Sequence, residues 1–138
     1  MDCIFCKIIR GEIPSHQVYE DDKVLAFLDI TPVNPGHTLV IPKAHYENLL
    51  DLPEEGAKNL IVAVKKIAGA VVAATGAEGF NLGLNNGAVA GQMVGHVHFH
   101  IMPRWENDGR KLWLGQAYPE GEAQAIAEKI KNNLLEVV

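Results

Sequence analysis

Apolar and polar positions alternate with two different periods along this chain, and the switch between them marks its elements. From Ala57 the apolar residues Leu60, Ile61, Val64, Ile67, Ala68 and Val71 recur every three or four positions, which predicts one face of a long helix. Pro53 at a first-turn position, followed by Glu54 and Glu55, suits its start, and Gly76 its stop. A second amphipathic helix is predicted near the end, with Ala123, Ile126, Ala127, Ile130 and Leu134 on one face. Residues 2–10 predict a short helix with Asp2 as a possible cap and Gly11 as its stop; Ile4, Phe5 and Ile8 line one side, Cys3 and Cys6 another. Strand-like runs fall at 18–20, 23–29, 37–41 and 80–85. A turn over 31–36 is rich in proline, asparagine and glycine. The expected fold is therefore α+β, a five-stranded antiparallel sheet with one long helix and short N- and C-terminal helices.

The fifth strand carries the chemistry. From 96 to 100 the chain reads His-Val-His-Phe-His, so half of its six histidines occupy alternate positions of one short segment. Side chains two apart share a face of a strand. The three imidazoles therefore project one way, Val97, Phe99 and Ile101 project into the core, and Pro103 ends the run. A neutral imidazole can serve near pH 7 as base, nucleophile, phosphate donor or metal ligand. The plainer alternative is a solvated polar face, and a second is chelation through His-x-His. The preceding loop, 86–91, has glycines at 87 and 91 that permit positive φ and close approach of a ligand. With Asn85, Asn86 and Gln92 nearby, it is a candidate phosphate cradle built from neutral donors.

Composition narrows the classes. A chain of 138 residues suits a single domain, with the motifs in 1–103 and a tail and helix in 104–138. The 12 basic against 17 acidic residues argue against a broad nucleic-acid surface, although a small phosphate ligand needs only local donors. No apolar run is long enough to span a bilayer and no signal-peptide pattern is visible, so a soluble, cytoplasmic protein is expected, with reduced thiols. Cys3-Ile-Phe-Cys6 has a spacing suited to half of a tetrahedral zinc site. Free thiols and a redox pair are the alternatives.

The segment His96 to Met102 resembles the pattern of the histidine-triad (HIT) family of nucleotide hydrolases and transferases, His-φ-His-φ-His-φ-φ, with Val97, Phe99, Ile101 and Met102 in the apolar (φ) slots. Phe27-Leu-Asp-Ile30, Gly36-His37 and Gly91-Gln92 extend the resemblance. It implies that His98 is the nucleophile, attacking an α-phosphate to form a nucleotidyl-histidine that water cleaves. By the same resemblance His100 contacts the phosphate and helps protonate the leaving group, and His37 borders the catalytic histidine. Asp29 would accept the ribose hydroxyls, and Asn85 and Gln92 would meet the phosphate side. Ile4, Phe5, Ile8, Ile13, Phe27 and Leu39 would hold a purine. Family branches with the cysteine pair bind zinc, which here would join Cys3 and Cys6 to His45 and His96 as a structural site, with no organic cofactor.

The resemblance also implies a homodimer and a purine-nucleotide partner, with neither nucleic acid nor membrane involved. His100 stands where the transferase branch carries glutamine. Met93 stands where many amine-cleaving members carry serine or threonine, and a thioether donates no proton. The expected activity is hydrolysis of dinucleoside polyphosphates, favoured slightly, or of nucleoside phosphoramidates. The alternative is a nucleotide-binding regulatory or scaffold protein with little turnover.

Overall fold

In the computed structural model, residues 3–137 are described. The elements run α1 (Ile4–Ile9), β1 (Gln17–Glu20), β2 (Val24–Leu28), β3 (Thr38–Pro42), α2 (Glu54–Thr75), β4 (Gly79–Leu84), β5 (Phe99–Arg104) and α3 (Glu122–Val137). Single 3₁₀ turns occur at Leu49–Asp51 and Ala88–Ala90. The strands form one antiparallel sheet in the order β1-β2-β3-β5-β4.

The central strands β2 and β3 are covered on both faces and are buried almost without a break, Thr38 being their one polar residue. Val24, Ala26, Val40, Val97 and Ile101 face α2, which contributes Leu60, Ala63, Val64, Ile67, Ala68 and Val71. Leu25, Phe27, Leu39 and Ile41 face the other way, onto Phe5 and Ile8 of α1. Each buried leucine, isoleucine or valine of the α2 stripe contributes roughly 1.5–3 kcal/mol of apolar burial. Ile61, expected on that stripe, is 46 % exposed, and Ala63 is buried in its place. Gly76 ends α2 with φ +70°, as its position at the end of the stripe predicted.

Several boundaries differ from the sequence expectation. Asp2 lies outside the described residues; Cys3 caps α1, its Sγ accepting from the Cys6 N–H. Pro53 is the N-cap of α2 rather than a first-turn residue. Pro103 lies within β5, opposite Phe80, and does not end it. β3 has already run out beyond the Thr38–Ile101 pair, so the missing N–H leaves no ladder bond unmade, and the Pro103 carbonyl accepts from Asn34 Nδ2 instead. His96, Val97 and His98 precede the strand: their one backbone tie is the Val97 N–H to the Tyr46 carbonyl, a loop partner.

The chain divides after Asp108 into two compact units, so the motif-bearing part runs five residues beyond Pro103. In the second unit, α3 has 16 residues, shorter than the 22 of α2, and Ile130 and Leu134 of its apolar face are exposed.

Candidate active site

Two clusters of imidazoles form on the α1 side of the sheet. The first gathers Cys3 and Cys6 from α1, His45 from the loop after β3, and His96. Their ligand atoms all lie within 4.8 Å of one another. Cys3 Sγ and Cys6 Sγ are 3.5 and 3.6 Å from His96 Nδ1, Cys6 Sγ is 3.3 Å from His45 Nδ1, and the two Nδ1 atoms are 3.2 Å apart. A tetrahedron with zinc-length bonds has sulfur–nitrogen edges of ~3.5 Å and nitrogen–nitrogen edges of ~3.3 Å. The four residues fit such an ion. His96 Nε2–H donates to the Pro42 carbonyl at 2.8 Å, which leaves Nδ1 as the ring's ligand atom.

The second cluster holds His98, His100, His37 and Asp29. His98 is only 5 % exposed, packed edge-on against Phe5 at 5.1 Å between ring centroids. Its Nδ1 lies 2.7 Å from the His96 carbonyl, which can only accept, so Nδ1 carries the hydrogen and Nε2 the lone pair. Nε2 has no hydrogen-bond partner among the described residues, yet it is not sealed from solvent. Burial lowers the affinity of His98 for a proton, against the opposing pull of that hydrogen bond, and keeps the ring neutral.

A chain of donors fixes the other two rings. The Val33 N–H donates to His37 Nδ1 at 2.9 Å, so neutral His37 carries its hydrogen on Nε2. His37 Nε2 lies 2.9 Å from His100 Nδ1, and 3.6 Å from Asp29 Oδ2. His100 Nδ1 therefore accepts, and His100 presents Nε2–H outward. Burial lowers the His37 pKa, with Asp29 opposing. Burial, and then the neighbouring His98 and His37, push His100 down to about 4.

Asp29 and His37 share this face at the adjoining ends of β2 and β3, joined by the Asp29 N–H to the His37 carbonyl. Asp29 Oδ1 accepts from the Thr31 N–H and hydroxyl. Across the strands, Phe27 pairs with Leu39 and Leu39 with His100, so an apolar floor leads to the imidazoles. Phe5, Ile8, Phe27 and Leu39 form that floor with Ile13 at its margin. Ile4 does not join it: at 47 % exposure it points off the outer side of α1.

The 86–92 loop is built differently from a cradle of free amides. Gly87 and Gly91 do take positive φ (+92° and +95°). The N–H groups of Ala90, Gly91 and Gln92, however, bond to carbonyls within the loop. Gln92 is also committed: its Oε1 accepts from the Gly87 N–H, and its Nε2 donates to the carbonyls of Glu47 and Val94. Asn86 Oδ1 accepts from the Leu49 N–H, stitching this loop to the one that follows His45. Asn85 Nδ2 is 3.4 Å from the Gly91 carbonyl, a long contact. Sequence reasoning passed over the residues that hold these rings, the Val33 amide and Asn34. Their cue was the dense turn chemistry directly before His37.

A HIT-domain family model matches residues 10–107. The chain belongs to the HIT family. It is 48 % identical to an adenylylsulfatase of Arabidopsis thaliana over 84 % of this chain and 58 % of that protein. It is 42 % identical to the adenosine 5'-monophosphoramidase of Schizosaccharomyces pombe, over 97 % of this chain and 99 % of that one. Among solved structures, a HIT-family protein from Bacillus subtilis superposes with a TM-score of 0.89 at 47 % identity, covering 96 % of each chain. The antiparallel sheet and long helix are thus the HIT fold. No helix among the described residues of this HIT protein is long and apolar enough to cross a membrane.

Proposed function

We propose that this HIT protein is a nucleotide hydrolase that cleaves at the α-phosphate through a nucleotidyl-His98 intermediate. The observation that carries the reading is the 2.7 Å hydrogen bond from His98 Nδ1–H to the His96 carbonyl, which aims an unprotonated Nε2 into the site. Nε2 bonds to phosphorus as the bond to the leaving group breaks; water then cleaves the P–Nε2 bond. Over the cycle one water is consumed, its hydroxyl ending on the phosphate and its proton on the leaving group. His100 Nε2–H donates to the phosphate oxygens as charge develops there. Asp29 Oδ2 is the acceptor left for a ribose, and Phe5, Ile8, Phe27 and Leu39 form the slot for a purine.

Of the two substrate classes, nucleoside phosphoramidates are favoured. A departing nucleoside polyphosphate carries several negative charges that Lys or Arg would have to meet, and residues 84–103 contain neither. The names of the two relatives support small leaving groups on an adenylyl phosphate. Gln92 shapes the loop by its internal bonds, and Asn85 remains the side chain there to meet a phosphate oxygen.

Zinc held by Cys3, Cys6, His45 and His96 would supply a fixed junction between α1 and the segment leading into β5. A second copy of the chain is the proposed cover for the open edge of β4, where Phe80 and Leu82 lie exposed beside Ile61 and Val62 of α2. Sedimentation of the purified protein tests the dimer, and metal analysis the zinc. The decisive experiment is acid-quench trapping with adenosine 5'-phosphoramidate, expected to yield an adenylyl adduct on His98. Nucleotide binding with neither adduct nor turnover would overturn the hydrolase reading in favour of a regulatory binding protein.

A further inference from the structure

The His37–His100 relay works only if the Val33 N–H stays against His37 Nδ1, and Val33 lies in a turn rather than in the sheet. The turn has an unusual anchor. Asn34 is 8 % exposed, and its Nδ2 donates both to the Pro103 carbonyl and to Asp108 Oδ2, each at 2.9 Å. Asp108 is in turn gripped by Arg104, whose Nε and Nη2 reach its two oxygens at 2.7 and 3.0 Å, while Arg104 Nη1 donates to Asn81 Oδ1. The same carboxylate accepts from the Trp105 N–H. The carbonyl of Asn34 receives the His37 N–H at 3.1 Å, closing the turn. Gly36 presses it home: with φ +95°, a Cβ there would stand 2.6 Å from Thr75 Cγ2 and 3.3 Å from Pro103 Cγ. The end of β5 and the end of α2 therefore hold the turn from outside the catalytic cluster.

We propose that Asn34, clamped by Asp108 and the Pro103 carbonyl, is a positioning residue that fixes the tautomer of His37 and thereby the donor that His100 offers the substrate phosphate. The number of ring hydrogens sets the outcome. A backbone N–H cannot accept, so while it faces Nδ1 the hydrogen of neutral His37 must sit on Nε2, and His100 must show Nε2–H to the ligand. If the turn loosens, His37 can carry its hydrogen on Nδ1. His37 Nε2 then accepts, His100 donates from Nδ1, and a lone pair replaces the donor facing the phosphate. No charge changes and neither imidazole leaves its place. The site would lose a hydrogen bond made to the developing charge and gain a repulsion.

This inference rests on the hydrolase reading for its kinetic consequence but not for its structural one, and the test separates the two. Side-chain ¹⁵N spectra of the full chain report whether His37 Nδ1 is bare or protonated. In Asn34→Ala the His37 signals are expected to move from the Nε2–H form to a mixture. With adenosine 5'-phosphoramidate as substrate, kcat is expected to fall about tenfold, a fraction of what losing an oxyanion donor outright costs, while KM stays within about twofold. Asp108→Asn, which keeps the volume and an acceptor oxygen, is the second variant and decides the matter if Asn34→Ala fails to fold; a smaller shift in the same direction is expected. An unchanged His37 tautomer in the folded variants, or a mixed tautomer with kcat unchanged, would overturn the proposal. A mixed tautomer in a protein whose wild type has no hydrolase activity would instead leave the clamp standing and remove the reaction assigned to it.

Discussion

His96 and His98 are two residues apart, on one side of one segment, and both lie edge-on to the same Phe5 ring, yet opposite atoms of their imidazoles are left over for chemistry. His96 spends Nε2 on the Pro42 carbonyl and keeps Nδ1, which points among two thiols and His45. His98 spends Nδ1 on the His96 carbonyl and keeps Nε2, which points toward the open site. Residue type, spacing and burial are nearly the same; the position of one backbone carbonyl separates a ligand from a nucleophile. A carbonyl acceptor dictates which nitrogen bears the hydrogen, and the remaining lone pair goes where the ring then faces.

The largest expected effect separates the two rings on activity. His98→Ala is expected to lower kcat/KM for adenosine 5'-phosphoramidate by on the order of 10³ or more and to abolish the trapped adduct. Its nucleotide affinity should change little, while unfolding should lose about 1–3 kcal/mol, because the change empties a buried position against Phe5 and removes the bond to the His96 carbonyl but leaves all four side chains of the metal cluster in place. A His98→Ala protein that still formed the adduct would place the nucleophile elsewhere.

His96→Asn should show the converse. It removes one ligand from the candidate metal cluster and the bond to the Pro42 carbonyl, so unfolding is expected to fall by about 3 kcal/mol or more. For a domain of this size that is a drop in Tm of roughly 6–12 °C. A chelator should produce a comparable drop in the wild type and none in His96→Asn. Equal chelator responses in the two proteins would show that the four residues do not act together on a metal. Burial and the neighbouring Cys3 raise the Cys6 thiol pKa, so adding zinc to the metal-free chain at neutral pH should release protons, measurable in a weakly buffered titration.

A third effect follows from the cluster being neutral. His100 titrates at about 4 in the folded protein, against an ordinary imidazole value of 6.5, and His37 is shifted in the same direction. Below 6.5 the unfolded chain binds protons that the folded chain refuses. The stabilisation is therefore complete above 6.5 and is lost as pH falls toward 4, levelling off below that. Tm should decline through this window, and His100→Asn should flatten part of the decline. A Tm that held constant from pH 7 to pH 4.5 would mean these rings are not held neutral.

Much of this was legible from residue pattern, and the failures have physical causes. The α2 stripe and the Gly76 stop were readable because one helical period was sustained over about four turns, from Ala57 to Val71. The sharing of one face by the three histidines was readable too, although only His100 belongs to the ladder. Strand boundaries were not, because an extended segment bonded to loops has the same side-chain alternation as one bonded to strands. Ile4 fitted the apolar pattern of α1, yet a six-residue helix has one buried side, which Phe5, Cys6 and Ile8 fill. Gln92 was read as a phosphate contact by resemblance, whereas its amide closes the loop. Asn34 read as an ordinary turn residue, since its partners Pro103 and Asp108 are 69 and 74 positions away.

The smallest predicted effect concerns the one side chain common to both rings. Phe5 stacks edge-on to His96 and His98 and also meets Phe27 at 5.4 Å between centroids. Phe5→Leu keeps an apolar floor but removes the ring edges, so a loss of about 1 kcal/mol in unfolding is expected. Because the carbonyl bonds that fix the two tautomers do not involve Phe5, kcat should fall no more than about threefold, while KM for the nucleotide rises as the purine slot loosens. Zinc affinity, read by competition with a chromogenic chelator, should shift by a similarly small factor. A loss of kcat approaching that of His98→Ala, with metal content intact, would mean that ring packing rather than the His96 carbonyl aims the nucleophile, and the contrast between the two histidines would have to be rebuilt on Phe5.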